Sequence, residues 1–445
     1  MSRRIKAALA AVISVSAYGA AGGAATPAVA HVAGLAVVSL AAPAPATALR
    51  SPGIRVVATF PYVGAAAVRG TPAALAQLAR RPGVRSVVPD RVLRPAGASA
   101  PSSGGVFAST NLGGRAGKPG AGAGVTVALV DTGISDSPAL NRSSGRLVDA
   151  VDTSGEARYT DGYGHGTFLA GLIAGGPVAQ SDGVAVGVAP GARVLNVKVA
   201  DRSGTTSLVK VLAGLDWVTA HAAQVDVASF AFSHPRPGPE YGADPLTDAV
   251  ERVRDAGVTV VVSAGNTPGV VGDPGFDPRV LTVGAADLTT KKAAVADFSG
   301  SALVAGVEKP DVVASGVRLL SFLPAASVIA AGFPEAQRGD GLWRGSGTSQ
   351  ATAVTAGVAA LFLADHPDAT PRQVKASLRA AAKPVPGKDG AGLVRVAHAV
   401  RDGADGPGAG DGGGDGESGF DANSWSANSW SANSWSAAPR GDGAG

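Results

Sequence analysis

The chain has no cysteine and a single methionine in 445 residues. Without thiols there are no disulfides, no thiolate metal sites and no cysteine nucleophile. Export is still compatible with that absence, because a domain of this size can be stable without cross-links. Beyond the first residues no run of 18 apolar side chains occurs, so no membrane span is predicted. A basic stripe of the kind nucleic acid requires is also missing from the main body. The net charge of +4 hides a division: residues 1–100 hold 11 Lys/Arg against one acid, Asp90, whereas the remainder holds 27 basic and 33 acidic residues.

What is present falls into six stretches. Arg3, Arg4 and Lys6 precede an apolar run from Ala7 to about Ala21, and Ala28-Val-Ala30 offers a small-x-small cleavage site, so residues 1–30 read as a secretory signal peptide. Residues 31–95 read as a small α+β unit. Its expected strands are 35–40, Ile54–Val63 and Val84–Val88, and its helix begins at Thr71 as cap with Pro72 in the first turn. Residues 96–104 are a Pro/Ala/Ser/Gly stretch suited to being cut. Residues 105–401 alternate strand and helix patterns. The strands Val125–Val130, Val194–Val199, Val225–Phe230, Val258–Ser263 and Val280–Ala285 are nearly continuous apolar runs, as a parallel sheet covered on both faces requires. Helical patterns over Ser207–Ala223 and Asp244–Ala256 lie between them, which predicts an α/β fold. Residues 402–421 form a Gly/Asp-rich linker, and residues 422–445 carry Ala-Asn-Ser-Trp-Ser three times.

Four short segments in the 105–401 body carry chemistry. Asp131 follows the strand Val125–Val130, at the carboxyl edge where α/β sheets place their ligands. His165 stands between glycines in Gly-His-Gly-Thr. Ser349, in Gly-Thr-Ser-Gln-Ala, precedes an apolar helix over Ala351–Ala364, and Asn266 ends Ser263-Ala-Gly-Asn. Each has a plain structural alternative: an Asx turn, a buried histidine, a helix cap, a turn amide. Together they are the acid, imidazole and hydroxyl of nucleophilic serine catalysis, with an amide to stabilise an oxyanion. An aspartic protease needs a second Asp-Thr/Ser-Gly, which is absent. A nucleophile-elbow hydrolase places its acid and histidine after the serine, and only 96 residues follow Ser349.

On these segments, in this order, the body resembles the subtilisin-family (subtilase) serine endopeptidases. Val186-Gly-Val-Ala-Pro190 and Gly390-Ala-Gly-Leu-Val extend the likeness. Pro82-Gly-Val-Arg-Ser-Val-Val-Pro-Asp90 is similar to the family's inhibitor-like propeptide. The resemblance implies a three-layer fold with a mostly parallel central sheet, preceded by a propeptide domain at 31–95. It implies Ser349 as nucleophile, His165 as general base and acid, and Asp131 as its orienting partner. Asn266 and the Ser349 N–H would form the oxyanion hole. Ser229, Phe230 and Ala231 would carry the peptide substrate by strand addition, with Ser263, Ala264 and Gly265 as the facing wall of the first specificity pocket.

The sequence departs from the family pattern at four places: Gln350 for Met, Ala353 for Pro, Phe168 for a second His, and Ala231 for Gly. None removes a proton-transfer or oxyanion group. The expected product is therefore a secreted, self-processing endopeptidase acting on proteins and peptides, with its own propeptide as partner and no cofactor. The alternative is a catalytically silent relative that binds at the cell surface. Structural calcium recurs in the resembled family, but Gln180-Ser-Asp182-Gly offers one carboxylate where calcium wants six to eight oxygens, so no metal is assigned. The tail has two readings, a disordered extension or a binder of cell-wall polymer through Trp425, Trp430 and Trp435.

Overall fold

The computed structural model describes residues 34–41, 49–95, 105–181, 183–233, 244–290, 292–304, 306–338 and 341–401. The expected signal peptide, the processing linker, the Gly/Asp linker, the Trp-repeat tail and Asp182 lie outside those residues. Toward the N-terminus, Leu35–Leu40 (β1), Ile54–Phe60 (β2), Ala65–Gly70 (β3) and Val84–Pro89 (β4) form an antiparallel sheet in the order β2-β3-β1-β4. One helix, Pro72–Ala79 (α1), lies on it. Its cap is the predicted one: the Thr71 hydroxyl accepts from the Ala74 N–H at 3.3 Å, and Pro72 sits in the first turn. Alternation along β1 divides its side chains between two cores. Ala36, Val38 and Leu40 pack with Leu78 of α1, while Leu35 and Val37 face the larger unit.

A fifth strand, Val92–Pro95 (β5), leaves this sheet and lies against the larger unit. It pairs antiparallel with Thr206–Ser207 (β9) on one side and with Phe232–Ser233 (β11) on the other.

The larger unit is built on Thr126–Asp131 (β6), Leu147–Asp152 (β7), Arg193–Lys198 (β8), Val227–Phe230 (β10), Thr259–Ser263 (β12), Leu281–Asp287 (β13) and Ala294–Val295 (β14). They run β14-β13-β12-β10-β6-β8-β7. All neighbours are parallel except β13 and β14, and Val312–Ser315 (a further strand at this edge) also pairs parallel with β13. The five apolar runs read from the sequence are thus β6, β8, β10, β12 and β13.

Two helix layers cover the sheet. On one face His165–Ala174 (α2) and the helix that bears Ser349, Thr348–Asp365, share a core with Val127, Leu129 and Val261. On the other, Leu208–Ala220 (α3) and Pro245–Asp255 (α4) share a core with Ala128, Val130 and Val262, and with β1 and β3. Each fully buried valine contributes about 1.5–3 kcal/mol. The helix order is completed by Thr348–Asp365 (α5) and Pro371–Ala381 (α6). The Ser349 helix begins three residues earlier than the sequence indicated, and its N-cap is Gly347. Ser349 therefore lies inside the first turn and does not cap the helix.

Candidate active site

Asp131 closes β6, and α2 opens on His165 beside it. The Asp131 Oδ1 atom accepts from the Thr132 N–H and faces His165 Nδ1, each at 2.8 Å, with both side chains 1% exposed. The flanking glycines are required sterically: a Cβ on Gly166 would stand 2.1 Å from the Gly133 carbonyl oxygen and 3.2 Å from Asp131 Oδ1. Because Nδ1 is engaged with a carboxylate, its proton is held there, which leaves Nε2 as the basic nitrogen. Nε2 is buried and has no hydrogen-bond partner.

The start of α2 is fixed by a residue to which the sequence reading gave no role. Asp161 accepts from the N–H groups of Tyr163, Gly164 and Thr167 and from the hydroxyls of Thr132 and Thr167, at 2.7–3.1 Å. Thr132 in turn accepts from the Gly166 N–H at 2.9 Å. Burial pushes the Asp161 carboxyl up, opposed by the donors of Gly164 and Thr167. Its carboxylate satisfies orphan donors at the helix start and ties the turn after β6 to the turn that carries His165. Its only clue in the sequence was its place four residues before the histidine.

Asn266 follows β12, and its amide faces the first turn of α5. Its Oδ1 accepts from both the N–H and the hydroxyl of Thr348 at 2.9 Å. The Thr348 N–H can only donate, so this contact sets which way the amide points. The Nδ2 group is then turned the other way, buried and without a partner. Ser349 is the next residue after Thr348. Its place in the first turn puts its N–H at the helix N-terminus, where backbone donors point outward along the axis. The Asn266 side chain thus lies at the N-terminus of the helix that bears Ser349.

Ser229 and Phe230 end β10, Ala231 follows, and Ser263 ends the neighbouring β12, with Ala264 and Gly265 after it; all are buried. The hydroxyls of Ser229 and Ser263 are buried without partners. β5 pairs with Phe232 and Ser233, opposite Pro95 and Arg94, just past Ala231. Of the four departures, Phe168 and Ala353 fill the core, whereas the Gln350 amide is buried with neither its oxygen nor its nitrogen partnered. Among the described residues no group of three or more His, Asp or Glu side chains is placed to hold a metal ion.

The family model described as Peptidase_S8, subtilase family, matches residues 122–412. The chain belongs to the subtilase family. Serine protease AprX of Bacillus subtilis (strain 168) is 36% identical over 273 residues, 58% of this chain and 61% of AprX. Subtilisin E of the same organism is 31% identical over 336 residues, 74% of this chain and 78% of that protein. Subtilisin Savinase of Lederbergia lenta is 33% identical over 283 residues, 63% of this chain and 92% of its own length. The chain thus spans less than two thirds of AprX. Among solved structures, fervidolysin from Fervidobacterium pennivorans, a keratinolytic enzyme related to subtilisin, superposes with a TM-score of 0.65 at 24% sequence identity. That match covers 82% of this chain and 60% of fervidolysin. It supports the subtilisin-like fold.

Proposed function

We propose that this subtilase is a serine endopeptidase made as a secreted, self-processing precursor. In this reading the Ser349 hydroxyl attacks the scissile carbonyl carbon while its proton passes to His165 Nε2. The carbonyl oxygen becomes an oxyanion held by the Asn266 amide and the Ser349 N–H. His165 then gives the proton to the leaving amine as the C–N bond breaks, which leaves an acyl ester on Ser349. Water attacks that ester, His165 takes the water's proton and returns it to Ser349, and the acid product departs. Asp131 keeps Nδ1 protonated and stabilises the imidazolium.

The observation that carries this reading is a pair of orphaned atoms. His165 Nε2 and Asn266 Nδ2 are both buried and unpartnered, and each belongs to a side chain whose other polar atom is anchored. Burying an unsatisfied polar group costs roughly 1–3 kcal/mol, so two at one rim call for a ligand or a reacting group. The 31–95 unit acts as propeptide, with β5 lying between β9 and β11 as a bound peptide strand would. Residues 1–30 direct export.

Processing of the full chain tests the proposal. Wild type should release its N-terminal segment by a cut near residues 94–105, and Ser349→Ala should accumulate uncut. Equal processing of both proteins, or of neither, contradicts it.

A further inference from the structure

We propose that Asp244 and Asp273 form a recess that binds an arginine side chain on the N-terminal side of the cleft, in a substrate as in the chain's own N-terminal unit. The inference rests on the proposed function, because it treats β5 as the occupant of the substrate cleft.

The present occupant is Arg91, which comes from the other unit and lies 153 and 182 residues from its two partners in sequence. Its Nη1 donates to Asp244 Oδ2 at 2.5 Å and its Nη2 to Asp244 Oδ1 at 2.8 Å; Nη2 also donates to Asp273 Oδ2. Both carboxylates are 0% exposed, against 14% for the arginine side chain. The recess is built without the arginine. Asp244 caps α4 by accepting from the Leu246 N–H at 2.8 Å, and Asp273 accepts from the Thr247 hydroxyl at 2.7 Å. Backbone pairing aims the arginine into it: the Arg91 carbonyl accepts from the Leu208 N–H at 2.8 Å, directly before β5 enters its place between β9 and β11. A peptide lying in the same register presents its own side chain there, four residues before the one opposite Phe232.

Charge and shape both select arginine. Burial disfavours charge on both acids, but Arg91 outweighs it at Asp244, whose carboxyl lies below its usual range, while Asp273 is pushed well above. The pair therefore holds about one negative charge, which one guanidinium neutralises. A planar fork can serve one carboxylate with two N–H groups and still reach a second; an ammonium cannot match that geometry. When the N-terminal unit leaves, the two carboxylates lose their cation, and an arginine in the incoming chain restores it.

Two peptides spanning residues 89–105 test this, one with arginine at position 91 and one with citrulline, which keeps the shape without the charge. The enzyme is collected after release of its N-terminal segment. The arginine peptide should show at least about tenfold higher kcat/KM, and a lysine peptide should fall between. In the double variant Asp244→Asn and Asp273→Asn, whose amide oxygens can still accept from Leu246 and Thr247, the recess carries no charge and the arginine advantage should disappear. Equal rates on the arginine and citrulline peptides, with casein still hydrolysed, overturn the recess and leave the proposed function standing. No hydrolysis of casein or of any peptide overturns the proposed function instead.

Discussion

The N-terminal sheet and the central sheet are both rich in valine and alanine, but they complete their cores differently. The central sheet is closed on one face by α2 and α5, which belong to its own unit. The β1–β4 sheet has only Leu78 and a few partners under α1, and its other face joins a core whose helices, α3 and α4, belong to the larger unit. Two carboxylates, Asp311 and Asp216, differ in the same way. Asp311, inside the larger unit, is fully buried, but Lys309, Lys375 and Arg379 surround it at 2.7–3.0 Å. They outweigh burial and hold its carboxyl well below the usual range. Asp216 of α3, which accepts from the N–H groups of Tyr62 and Val63 in the other unit, is pushed by burial up to about 6 against those two donors. Of these two carboxylates, the one inside the larger unit is held charged and the one at the contact between units is not. The N-terminal unit completes its core on the larger one.

The chemistry of the larger unit offers the largest effects. Asp131→Asn keeps the shape but frees the wrong tautomer of His165, so kcat should fall by about 10⁴-fold with little change in melting temperature. A parallel loss of stability would mean that Asp131 is structural. Asn266→Ala should lower kcat about 10²- to 10³-fold with KM nearly constant, the size expected for one oxyanion donor. A change in KM alone would place Asn266 in ground-state binding.

Stability comes next. Asp311→Asn leaves Lys309 buried beside a neutral amide, and should cost about 3–5 kcal/mol in denaturant unfolding of the larger unit. A cost below about 1 kcal/mol would break the contrast. Because the folded value of Asp311 is depressed, its contribution is complete above the unfolded value near 4 and is lost only as pH falls through the folded value.

The smallest effect has the opposite pH sign. The Asp216 carboxyl is raised in the assembled state, so its contribution is complete below about pH 4 and is lost as pH rises through about 6. In the uncut Ser349→Ala chain, amide protection in β1 and β3, corrected for intrinsic exchange, should fall over that range. Asp216→Asn, which can still accept but carries no charge, should flatten the change. A variant that tracks the parent assigns the effect elsewhere.

The central sheet was legible because both its faces are buried. Runs such as Thr126–Val130 and Thr259–Val262 have few polar positions and bounded lengths, and they could hardly be anything else. β3 was not. Ala65-Ala-Ala carries no strand preference of its own, and its conformation comes from pairing with β1 and β2 on either side. β5 escaped for a related reason, since a four-residue strand is defined only by the two segments it inserts between. The side chains of the candidate site stand out in the sequence because small residues flank them for steric causes that survive in one dimension. Their supports do not: Asp161 acts through donors from four other residues, and Arg91 meets its acids across more than 150 positions of sequence. Such contacts exist only once the chain has closed on itself.

The most direct measurement is labelling with a fluorophosphonate probe and mapping the modified residue. A hydroxyl activated by His165 beside the Asn266 amide predicts one adduct, at Ser349, formed in step with loss of peptidase activity and absent in the Asp131→Asn protein on the same timescale. An adduct at another serine, or full activity with no adduct at all, would contradict the account.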